Sequence, residues 1–89
     1  MTTKPPSPIK KAPDGSLEHA AYASVAGIPA EDPHDLDRLG YNVWRWLSVR
    51  RDTLEQAVRS ANARLKISNE EAIKTIRERL QELGVKMPG

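Results

Sequence analysis

The stretch DPHDLD, residues 32–37, gathers Asp32, His34, Asp35 and Asp37, the side-chain types that hold divalent metals or move protons. A metal cage needs ligands that converge, and neighbours one or two positions apart on a helix point in different directions. The same residues have a simpler role as a helix start, with Asp32 as N-cap and Pro33 at the first helical position. Asp35 and Asp37 then sit near the positive end of the helix dipole. No metal and no cofactor is expected here.

Other routes to catalysis are equally sparse. The chain has no cysteine, so thiolate nucleophiles, thiolate zinc sites and disulfides are excluded. The remaining histidine is His19, and no serine has an obvious histidine partner. No glycine-rich loop links a strand to a helix, as a phosphate cradle requires. A binding protein rather than an enzyme, without a small-molecule substrate, is the expectation.

Binding chemistry concentrates further along, in YNVWRWLSVRRDTL, residues 41–54, which holds both tryptophans and three arginines. Charge follows the same division. Residues 1–13 carry three lysines and no acid, residues 14–40 six acids against Arg38, and residues 41–66 six basic groups against Asp52 and Glu55. The net charge of +2 decides nothing, but an acidic region followed by a basic one can steer a charged partner. Trp44, Arg45, Arg50, Arg51 and Arg59 are the candidate partner-contact residues. A protein partner or self-association is expected, with nucleic acid as the second candidate. The arginines are scattered around an apolar stripe rather than aligned, so their stems can also serve to cover a core edge.

The elements that position these residues read as helices. Residues 1–15 contain four of the seven prolines and little to bury, which predicts a flexible arm. Pro5 and Pro8 beside Lys4 form a P-x-x-P spacing that aromatic grooves bind, a pattern proline-rich tails also produce by composition alone. Residues 16–31 read as a short helix or linker, with Ser16 as N-cap, Gly27 as stop and a small-residue face of Leu17, Ala20, Ala21, Ser24 and Val25. From Pro33 onward Leu36, Leu39, Val43, Trp46 and Leu47 keep one helical face, with Gly40 a weak point. A second helix over Asp52–Lys66 aligns Leu54, Ala57, Val58, Ala61 and Leu65, with Ser48 or Asp52 as its cap. Ser68 and Glu71 form a capping-box pattern opening a third helix that is expected to bury Ala72, Ile73, Ile76, Leu80 and Leu83 before Gly84 ends it. No internal repeat is visible.

Three features carry a likeness to a known family: a candidate strand at NVWRWLSV, the helix over Asp52–Lys66, and ISNEEAI at the next helix start. With these, residues 43–83 resemble the ribbon-helix-helix family of small bacterial repressors. The resemblance implies a dimer whose paired strands enter the DNA major groove, with the second helix start meeting a phosphate. Some plasmid-partition relatives also carry a basic arm before the ribbon. As a strand, however, Val43, Arg45, Leu47 and Val49 share one face and Asn42, Trp44, Trp46 and Ser48 the other, and neither face looks like a base reader. As a helix, Val43, Trp46 and Leu47 turn inward, Asn42 and Arg45 outward, and Trp44 to the flank. A fainter pattern, Y-x-V-x-x-W, L-S-V and L-x-x-A-V-x-x-A-N, is similar to an uncharacterised family of very short bacterial proteins. It runs through Tyr41, Val43, Trp46, Leu47, Val49, Leu54, Ala57, Val58 and Asn62, with a gap after Trp46 and an insertion before Ser68. That likeness implies a helical fold and no activity.

The expected fold is therefore all-α: a small three-helix domain over residues 33–84 behind an N-terminal arm, with a ribbon-helix-helix dimer as the alternative. No apolar run reaches the ~18 residues of a membrane span, no secretory leader is evident, and a cytoplasmic location is expected.

Overall fold

The computed structural model describes residues 16–49 and 53–87. The expected flexible arm of residues 1–15 lies outside the described residues, as do Arg50 and Arg51. The described chain is all-helical, with α1 Leu17–Val25, α2 Pro33–Val49, α3 Leu54–Ser60 and α4 Asn69–Glu82. Residues 42–48, which a DNA-reading ribbon would need extended, lie inside α2.

Each helix begins where a side chain can serve its unpaired amides. Ser16 accepts from His19 N–H at 2.9 Å, and Ser68 accepts from Glu71 N–H at 3.1 Å. Asp32 accepts from His34 N–H at 2.8 Å, while the Asp35 carboxylate accepts from Asp32 N–H at 3.2 Å. That exchange makes a reciprocal cap in which Asp35 fills the place of the usual glutamate. The cap of α3 is neither Ser48 nor Asp52 but Thr53, in a full capping box with Gln56.

The ends are equally local. Ala26 (φ −61°, ψ 133°) and Gly27 (φ 83°) form a turn closed by Ile28 N–H to Val25 C=O at 3.2 Å, a type II geometry that needs a positive φ at its third residue. Gly84 (φ 76°) ends α4, with its N–H on Gln81 C=O and Val85 N–H on Leu80 C=O, both at 3.0 Å. This is a Schellman motif, and Val85 packs back on the core. The helix expected over Asp52–Lys66 stops at Ser60, because Asn62 turns left-handed (φ 55°) and the chain leaves the helical path there. Leu83 is also a correction: as C-cap of α4 it is 49% exposed, and Ile73 is half-buried.

The released segment has a partner. Ala30 and Leu65 form an isolated antiparallel bridge, with Glu31 N–H to Arg64 C=O at 2.8 Å and Lys66 N–H to Pro29 C=O at 2.9 Å. The molecule is thus two helix–turn–helix halves clipped turn to turn. In both, the left-handed residue falls three positions before the bridging one, Gly27 before Ala30 and Asn62 before Leu65. The likeness stops at that interval, since Ala26 before Gly27 is extended (ψ 133°) and Ala61 before Asn62 is helical (ψ −21°).

All four helices share one core. Ala20, Ala21, Tyr22 and Val25 of α1 join Leu36, Leu39, Val43, Trp46 and Leu47 of α2, with Leu54 and Val58 of α3 and Ile76 and Leu80 of α4. So α1 is a fourth member of the domain that residues 33–84 were expected to form alone. Arg79 of α4 donates to the carbonyls of Ser24, at 3.3 Å, and Ala26. It thereby satisfies the end of α1, which has no basic residue of its own in its last turn. No described helix is long and apolar enough to cross a membrane.

Candidate interaction surface on α2

The carboxylates of DPHDLD separate. Asp35 is fully buried and meets two guanidinium groups, Arg38 one turn on and Arg64 from the opposite turn at 3.5 Å. His34 is exposed and pairs at 3.4 Å with Asp37, which is half-buried. Asp32 is the cap. Among the described residues no three histidine, cysteine, aspartate or glutamate side chains come together.

Burial of Leu36, Leu39, Val43 and Leu47 turns the opposite row of α2 to solvent. That row is His34, Asp37 and Arg38, Tyr41, Trp44 and Arg45, then Ser48 and Val49. Spacings of three and four keep it on one side of the helix. Tyr41 lies 5.7 Å from Trp44, ring centre to ring centre, at 58°. The Arg45 guanidinium lies 5.9 Å over the Tyr41 ring and donates to its hydroxyl at 3.4 Å. These three side chains hold one another in place, so little rotamer freedom remains to be lost on contact.

Trp44 is half-buried with its body against the core, and Arg45 is exposed. Tyr41 and Val49, 42% and 44% exposed, extend the apolar part of the surface in both directions. Beside the row, a groove of about 330 Å³ opens between α2 and α3, floored by Trp46, Ala57 and Ser60. Its geometry is fixed by Asn42, which donates to Ala57 C=O at 3.0 Å. That carbonyl is available because the Ala61 N–H, at the early end of α3, turns to Val58 and Arg59 instead.

The predicted contact residues are therefore divided. Trp44 and Arg45 stand together, whereas Arg59 lines a different groove of about 480 Å³ between α3 and α4 and is held by Glu55 at 2.8 Å. Arg50 and Arg51 lie outside the described residues. Tyr41 was missed as a contact residue, although its position four before Arg45 and three before Trp44 marked it as their neighbour on a helix.

No protein-family model, no curated protein and no solved structure matches this chain.

Proposed function

We propose that this chain is a small non-enzymatic binding protein of the cytoplasm, an adaptor, assembly subunit or regulator, that meets a protein partner through the outer row of α2. The observation that carries the reading is the ordered Tyr41–Trp44–Arg45 cluster, with Tyr41 half open to solvent beside an equally open Val49. Tyrosine, tryptophan and arginine are the side chains that dominate protein interfaces, because each offers a large apolar body and a polar tip. A cluster already locked by its own contacts loses less entropy when a partner covers it. DNA binding through a ribbon would need residues 42–48 extended, and no observation favours that as a second reading.

The test places a photo-crosslinking amino acid at position 45, and in a control at position 71 on the exposed side of α4, in cells making the full chain. Covalent adducts with protein are expected from position 45 and not from 71. Equal adducts from both positions would overturn the reading. So would tight binding of random duplex DNA whose affinity falls steeply with salt.

A further inference from the structure

We propose that the partner seated on the outer row of α2 is a second copy of this chain, its α2 running antiparallel about a two-fold axis at Tyr41. The inference rests on the binding reading above and names the occupant of the same surface.

The row is complementary to itself in one register. With the axis at Tyr41, Asp37 faces Arg45 of the other copy, and Arg38 faces Trp44. His34 faces Ser48, Pro33 faces Val49, and the two Tyr41 rings meet at the centre. Each cross-helix pair is an ion pair, a cation over an indole, a polar pair or an apolar pair, and no like charges meet. The row's spacings of three and four residues are those that let two helices pack along a seam.

The charges also have room for a partner. Among the described residues Asp37 pairs with His34 at 3.4 Å through Oδ2, and with 36% of its side chain exposed it can also meet a guanidinium from a second copy on that side. Arg38 reaches the buried Asp35 yet keeps 48% of its side chain exposed, and Arg45 is exposed beside Tyr41. The groove between α3 and α4, the strongest rival surface, differs in that its Arg59 is already held by Glu55.

Size sets the affinity. A helix of 17 residues is about 25 Å long, so the contact falls at the small end of specific interfaces and the dimer is expected to dissociate on the order of 10 μM. Light scattering of the purified full chain from about 1 to about 500 μM spans that value. A concentration-dependent rise from monomer to dimer mass is expected. Arg45→Glu and Asp37→Lys should each weaken dimerisation at least about tenfold by opposing like charges. The double substitution, which restores the pair with its signs exchanged, should return it to within about threefold.

Circular dichroism is the check that each variant remains helical, and Arg45→Glu, at an exposed position, is the one least exposed to misfolding. A chain that stays monomeric to the top of the range overturns the inference. A dimer indifferent to both single substitutions overturns it too. If the purified chain is monomeric while position 45 still crosslinks another protein in cells, the second-copy inference falls and the binding reading stands. If position 45 crosslinks nothing, both fall.

Discussion

Gly40 costs α2 about 1 kcal/mol of helix propensity relative to alanine, yet an alanine there has no room. A Cβ on Gly40 would lie 2.3 Å from Cδ1 and 2.7 Å from Cε1 of Tyr22, whose ring sits against the α2 backbone there. Tyr22 is 6% exposed and is the only aromatic residue of α1, so the contact sets how closely the two helices approach. Gly40→Ala is therefore expected to lower unfolding free energy by about 1–3 kcal/mol, against its propensity, measured by urea titration. Adding Tyr22→Leu should recover part of the loss. From the sequence alone Gly40 is a defect in a helix. Its reason is a ring from a helix predicted only weakly, and no period or motif connects positions 22 and 40. Asp35 was legible to the same depth: its place at the helix start was visible, its burial between Arg38 and Arg64 was not.

Helix signals were most legible where cap and apolar period agree. Asp32–Pro33, Ser68, Gly27 and Gly84 all act as their local chemistry predicts. Helix α3 is where the two disagree. Leu65 keeps the 3.6-residue phase of Leu54, Val58 and Ala61, so the period runs on past the point where the helix ends. The positive φ of Asn62 and the bridge from Leu65 to Ala30 override it, and the second of these is non-local. Thr53 was hidden behind Ser48 and Asp52, each a cap by composition. A helix of seven residues has little intrinsic stability, so α3 leans on its cap and on buried Leu54 and Val58. Thr53→Ala should cost about 1 kcal/mol, read as a lower urea midpoint at unchanged slope. The same change at Ser48, exposed within α2, should leave the midpoint unmoved.

Across the whole molecule, the two halves meet through the core and through their turns. Asp35 ties these together, since its carboxylate caps α2 and reaches Arg64 in the opposite turn. Asp35→Asn keeps the shape and removes the charge, leaving Arg38 and Arg64 without their anion. A loss of about 2 kcal/mol is expected, in the range for hydrogen bonds to charged groups. Hydrogen exchange localises it: the Glu31 and Lys66 amides, which hold the bridge, should lose protection before that of Ile76 in α4. None of this pairing was open to sequence reasoning, because the residues it joins are generic turn residues whose meeting depends on how four helices fold together.

The equal intervals in the two turns also limit how the chain can vary in length. One residue added between Gly27 and Ala30, or between Asn62 and Leu65, would shift the bridge by a position and bring a neighbouring side chain opposite Leu65 or Ala30. Residue identities in the turns are far freer: glycine serves in one and asparagine in the other, aspartate caps one following helix and serine the other. A relative could therefore differ at nearly every turn residue while keeping both intervals unchanged. What the turns hold constant is a distance along the backbone, and the letters within that distance are left free.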